Sequence, residues 1–195
     1  MFNLPKLNTQ DLPIEIEKIK DLGIFQAGYI NPKEISLNQW ALEACKKNSC
    51  GKYNTNWSCP PALGSLEENE AKIRTYGGGF VFNGVYHLKR DTDFRAMLKG
   101  AEDFRDLSYK LKDLLGQSLD DYMVMTVGNC TYCTNCAYPE ECRFPSKQIP
   151  AVEGMGINVS DLAKKAGLAY SLDSPSIIYL GLVLFNKKPH SKTTR

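Results

Sequence analysis

The chain has 195 residues, 24 basic and 22 acidic side chains, a formal net charge of +2 and a hydrophobic share of 43%. That length suits one domain, and the composition excludes a disordered chain, a collagen, a coiled coil and a strongly charged polyanion binder. The longest apolar run, Ile177 to Phe185, is too short to cross a bilayer, and the opening MFNLPKLNTQD has no apolar core with a small-residue cleavage site. The expectation is one domain over 1–195 in the cytoplasm, with no membrane and no nucleic acid as partner. Its tail, 186–195, is basic and polar and reads as a disordered, solvated end.

In chain order, a short helix is expected before Leu22, and Ile24 to Ile30 reads as a strand. Asn31-Pro32-Lys33-Glu34 offers an N-cap, a proline for the first helical position and a glutamate for a capping box. Leu37, Trp40, Ala41, Ala44 and Cys45 then mark the stripe of an amphipathic helix, with Cys45 near its C-terminal end on the buried face. Asn48 to Gly64 reads as a loop. A polar helix over Leu66 to Tyr76 is broken by Gly77-Gly78-Gly79, and Phe80 to Leu88 is a strand. Asp91 or Thr92 caps a long helix carrying Phe94, Met97, Leu98, Ala101, Phe104, Leu107, Leu111, Leu114 and Leu115 at helical spacing. Gly116 is expected to close it in the left-handed conformation.

Tyr122 to Val127 is the next strand, Ser160 to Ala166 a short helix ended by Gly167, and Ile177 to Phe185 a central strand. This order predicts an α/β or α+β core, about four strands flanked by helices, with two cysteine-bearing loops. The strand–helix–strand unit around Phe94–Leu115 suggests a crossover, right-handed if its strands are parallel.

Seven cysteines fall in two groups, Cys45, Cys50 and Cys59, then Cys130, Cys133, Cys136 and Cys142, against two histidines, His87 and His190. Scattered core-packing thiols do not cluster in this way, and an odd count without an export signal argues against a disulfide framework. In Cys130-x2-Cys133-x2-Cys136, thiolates at successive intervals of three can wrap one corner of a cubane, each reaching a different iron. Structural zinc more often uses two separated pairs. Cys142 follows close enough to complete the same cube, with Pro145 just beyond. A [4Fe–4S] cluster is therefore expected on the second group, with zinc as the alternative.

The first group, Cys45-x4-Cys50-x8-Cys59-Pro60-Pro61, is less specific. The prolines fix the backbone and remove competing amide donors, and Gly51 lets the chain turn close to a bulky inorganic group. Tyr53 and Trp57 are candidates to shield that group from water. The plainer reading is a packed helix end with two buried thiols and ordinary loop aromatics. Two complete cubanes take roughly eight protein ligands, and the chain has seven cysteines. The first trio would thus leave an open metal position for water, a sulfur species or a substrate heteroatom. Otherwise an eighth ligand comes from a carboxylate, His87 or another subunit.

Arg143, beside Cys142, is a candidate to offset a reduced cluster's charge or to hold an anionic ligand, and equally reads as a surface ion-pair partner. Glu153 is a candidate hydrogen-bonding group near the site or a plain loop carboxylate. Gly77-Gly78-Gly79 precedes a strand, the wrong order for a phosphate-cradling loop, and no Walker motif, G-x-S-x-G or paired-histidine helix is present. No catalytic residue is assigned.

The residues Cys45…Cys50-Gly51-x-Tyr53…Trp57-x-Cys59-Pro60-Pro61, then Cys130-x2-Cys133-x2-Cys136…Cys142-Arg143-x-Pro145, then Glu153-x2-Gly156-Ile157-x-Val159 resemble a prokaryotic family labelled "predicted metal-binding protein", a domain of unknown function. The resemblance spans about Asn31 to Phe185. It implies metal binding, iron–sulfur in kind, in an anaerobic or reducing cytoplasm, and it carries no reaction with it.

The leading expectation is an iron–sulfur protein with one or two [4Fe–4S] clusters, acting in electron transfer or in small-ligand or sulfur chemistry. Its partners would be a redox protein or a small sulfur or anionic ligand. The alternative is a zinc-stabilised interaction module without redox activity, and a metal-free thiol relay ranks below both.

Overall fold

The computed structural model describes residues 16–186 together with Pro13. Alternation of side chains across a strand organises the core. Strands β1 (Gln26–Ile30), β2 (Gly78–His87), β3 (Tyr122–Met125) and β4 (Ser176–Phe185) form one sheet in the order β1-β2-β4-β3, every neighbouring pair antiparallel. The two middle strands pair along their whole length, from Gly78 opposite Phe185 to His87 opposite Ser176.

Phe80, Phe82, Val183 and Phe185 point to one face, where they meet Phe104, Leu107, Leu111 and Leu115 of α4 (Phe94–Leu115) and Ile19 of α1 (Ile16–Asp21). Val81, Leu180, Leu182 and Leu184 point to the other face. There they pack with Ile73 of α3 (Leu66–Arg74), Leu162 and Ala163 of α5 (Val159–Lys165), and Met155 and Ile157. Burial on both faces explains why β4 reads as an unbroken apolar run. The fold is α+β. Strands β2 and β3, each antiparallel to β4, run parallel to one another, so α4 makes the expected crossover with β4 inserted between its two strands.

Local expectations are corrected at several points. Leu37 makes an isolated bridge to Ile157, which holds the chain extended there and divides the helix expected after Asn31. Asn31 Oδ1 accepts Lys33 N–H at 3.0 Å and caps only a 3-10 turn, Pro32–Glu34. Helix α2 (Gln39–Lys46) starts afresh, with Asn38 Oδ1 accepting Ala41 N–H at 3.0 Å. Its buried residues are Ala41 and Leu42, whereas Ala44 faces solvent and Trp40 is 70% exposed. The working capping box is instead Ser65 with Glu68, at the start of α3.

Asp93, and neither Asp91 nor Thr92, caps α4. Phe94 and Leu98 are exposed because burial on that helix begins only at Gly100, where a Cβ would meet Tyr86. Gly116 lies in the right-handed region with φ −62°. Its absent side chain matters for space: a Cβ would stand 2.7 Å from the Tyr122 hydroxyl, which donates to Lys112 O at 3.0 Å. Gly78 and Gly79 belong to β2, and β3 stops at Met125 because Thr126 turns to bridge Ala151. Asn186 is tied in, its Oδ1 accepting Gly77 N–H at 2.7 Å; the rest of the tail lies outside the described residues. No helix among the described residues is long and apolar enough to cross a membrane.

Candidate metal centre

The second cysteine loop leaves the sheet at Thr126 and returns to the same point. Thr126 N–H donates to Pro150 O and Val152 N–H donates to Thr126 O, each at 3.0 Å, so the loop is closed at its base. Thr126 Oγ1 also lies 2.8 Å from Ser108 Oγ of α4, a buried pair that fixes the loop's root to the helix. Above this base, Cys130, Cys133, Cys136 and Cys142 line a single cavity. Trp57, Tyr132, Phe144, Arg143 and Gln148 complete its walls. The Tyr132 and Phe144 rings meet edge to face at 5.1 Å, and the Arg143 guanidinium donates to Asn135 O across the loop.

The first group is built on the end of α2. Asn48 N–H donates to Cys45 O at 2.9 Å, and Asn48 itself takes φ 54°, a conformation asparagine tolerates better than most residues. Gly51 follows with φ +68°, the turn expected of it. Cys45 is partly buried, Cys50 exposed and Cys59 buried. Burial pushes the Cys45 thiol above its ordinary value, and the nearby Glu153 carboxylate and Cys50 push the same way. Burial likewise pushes Cys59 up; hydrogen bonding from the Asn56 and Ser58 side chains pulls it down, and Cys50 and Cys45 push it up. The three thiols therefore sit within one another's electrostatic reach.

Glu153, on the 3-10 turn Glu153–Met155, has its carboxyl raised by desolvation. That turn packs under the first loop, since a Cβ on Gly154 would touch Pro60 Cδ at 3.1 Å.

The two loops interlock. Ser58 Oγ accepts Cys130 N–H at 2.6 Å and donates to Asn56 Oδ1 at 2.6 Å; Ser58 O accepts Ala151 N–H at 3.0 Å. Trp57 Nε1–H donates to Glu140 O at 2.7 Å, its ring meets Tyr138 at 5.1 Å, and Tyr138 Oη–H donates to Asn54 Oδ1 at 2.7 Å. Gln148 Nε2–H donates to Trp57 O.

All seven cysteines are free thiols. Trp57 belongs to the first loop but walls the second group's cavity, where Arg143 also lies. Tyr53 lines a separate hollow with Pro60, Pro61 and Leu66. His87 lies at the end of β2, in a hollow with Ile24, Phe25 and Leu172 that contains no cysteine; His190 is outside the described residues. Among the described residues, no group of three or more His, Cys, Asp or Glu side chains converges on a single metal ion.

Sequence reasoning passed over Ser58, Asn56, Tyr109 and Lys112. Tyr109 Oη lies 3.1 Å from Cys130 Sγ, and Lys112 Nζ donates to Gln148 O at 3.0 Å on the cavity wall. Burial and the repulsion of Lys147 lower the Lys112 ammonium's pKa. The one available signal was their spacing on α4, three apart beside the apolar stripe.

The family model described as "Predicted metal-binding protein (DUF2284)" matches residues 28–185. The chain belongs to that family. No curated protein and no solved structure matches it.

Proposed function

We propose that this metal-binding protein is an iron–sulfur protein. A [4Fe–4S] cluster is held by Cys130, Cys133, Cys136 and Cys142, and a second metal site, a [4Fe–4S] cluster with an open iron, is held by Cys45, Cys50 and Cys59. The observation that carries the reading is the cavity shared by four free thiols of one loop. The donor set fits: thiolate sulfur is the usual protein ligand of such clusters, and the C-x2-C-x2-C spacing suits their edges.

When bound, such a group supplies single-electron transfer, and at an open position Lewis acidity or sulfur binding. The chain's own residues do the rest. Trp57, Tyr132 and Phe144 restrict water at the cavity, which governs potential. Ser58 holds Cys130 in register with Cys59. Glu153 lies within electrostatic reach of Cys45, as a hydrogen-bonding group or a further oxygen donor. We place the protein in a reducing cytoplasm, with a redox protein or a small sulfur or anionic ligand as its partner.

The test is iron, zinc and acid-labile sulfide per chain, on protein purified without oxygen. About eight iron and eight sulfide support both sites, and about four of each support the second group alone. Zinc without sulfide overturns the redox reading and leaves a zinc-stapled interaction module.

A further inference from the structure

A side chain in contact with a cysteine sulfur of the second group comes from outside its loop. Tyr109 projects from the middle of α4, and its Oη stands 3.1 Å from Cys130 Sγ. Thr131 N–H donates to the same oxygen at 3.2 Å. A phenol carries one hydrogen, and the amide already occupies an oxygen lone pair, so the hydrogen is free to point at the sulfur. A metal-bound thiolate would have no hydrogen to give back, so with the group bound Tyr109 would be the donor.

Both partners are held in place independently. The preceding residue on the helix, Ser108, is bonded to Thr126 at the loop's root, and the Cys130 amide is bonded to Ser58. The Tyr132 ring packs 6.0 Å from the Tyr109 ring. One turn earlier on the same edge of α4, the Arg105 guanidinium lies against Gly128, and one turn later stands Lys112. The helix thus turns a donor flanked by two cations toward the root of the cysteine loop.

We infer that Tyr109 is a positioning residue that sets the reduction potential of the group on Cys130, Cys133, Cys136 and Cys142, by hydrogen-bonding to the Cys130 sulfur. This rests on the iron–sulfur reading above. Reduction of the bound group would add one electron, with no covalent bond broken and the hydroxyl keeping its proton. The added negative charge would strengthen the bond to sulfur, so the Tyr109 donor would favour the reduced form and raise the potential.

The test is a redox titration with dithionite on the full chain, after iron and sulfide have been counted in wild type and in Tyr109→Phe. A wild type without iron and sulfide ends the iron–sulfur reading, and this inference with it. If both proteins are loaded, the Tyr109→Phe midpoint shifts to a more negative potential; an unchanged midpoint overturns the inference while the cluster stands. If Tyr109→Phe does not load, the test moves to fluorotyrosine placed at position 109, which keeps the ring and oxygen but carries a more acidic hydrogen. A shift to a more positive midpoint supports the inference, and an unmoved one overturns it, because a purely structural role is indifferent to the acidity of the hydroxyl.

Discussion

Ser58 Oγ and Cys130 N are 2.6 Å apart, joined by a hydrogen bond across 72 positions of sequence. Ser58 immediately precedes Cys59, so one bond ties a cysteine of the first group to a cysteine of the second. The serine is fully buried, and Asn56 beneath it is 3% exposed. The two cysteine loops are therefore one structure with a shared polar core.

Ser58→Ala leaves the part-buried Cys130 amide without that acceptor. Leaving a buried donor unmade costs about 1–3 kcal/mol. Urea unfolding is expected to show a lower midpoint with an unchanged m value. A midpoint equal to wild type would mean that water replaces the serine, and that the loops are held by their aromatic contacts.

On the iron–sulfur reading, the cysteines form two sets expected to fail separately. Cys133→Ser or Cys136→Ser is then expected to abolish the iron and sulfide that the second loop would hold. Cys50→Ser, at the exposed corner of the first, is expected to leave about four iron per chain in place. Metal analysis with visible absorbance reads both. Equal and complete loss in all three variants would merge the groups into a single site.

Gly28 lies in β1, and a Cβ there would stand 2.1 Å from the Ala166 carbonyl oxygen at the end of α5. Backbone cannot yield as a side-chain tip does. Gly28→Ala is expected to destabilise the fold by roughly 1–3 kcal/mol or more, as overpacking does. Thermal unfolding of the variant checks it, and a wild-type midpoint would refute the close approach of strand and helix.

Tyr86 gives a pH dependence away from the cysteines. Burial first, then the Asp103 carboxylate, push its hydroxyl up to about 12. The folded value exceeds the ordinary tyrosine value of about 10, so the unfolded chain ionises first. The contribution is whole below about pH 10 and is lost as pH rises toward the folded value. Tyr86→Phe is expected to reduce the fall in stability over that window, measured as the urea midpoint against pH.

Much of the fold was legible because it rests on local periodicity. The strand β4 announced itself by an apolar run fit for a central strand, β2 by a strand-like run from Phe80, and α4 by a stripe through Phe104, Leu107 and Leu111. The helix after Asn31 was misread because its interruption comes from Ile157, a partner no local pattern reveals. The same divide runs through the site. Cysteine spacing marked the candidate sulfur donors, but Tyr109 and Ser58 contact Cys130 from a helix and from the other loop. Their residue types are too common for position alone to single them out. Trp57 reads from sequence as a shielding aromatic for the first group, whereas it lines the cavity of the group farther along the chain.

The sheet order also sets a sequence of events in synthesis. Strand β4 lies between β2 and β3, although it is the last of the four in the chain. While a ribosome is still making the residues before 176, β3 has no neighbour in the sheet, and the loop that follows it hangs from an unseated strand. The Cys130–Cys142 cavity can take its final shape only after β4 has slotted in. On the iron–sulfur reading, a metal centre in that cavity would form on a finished chain, since a nascent one offers only loose thiols.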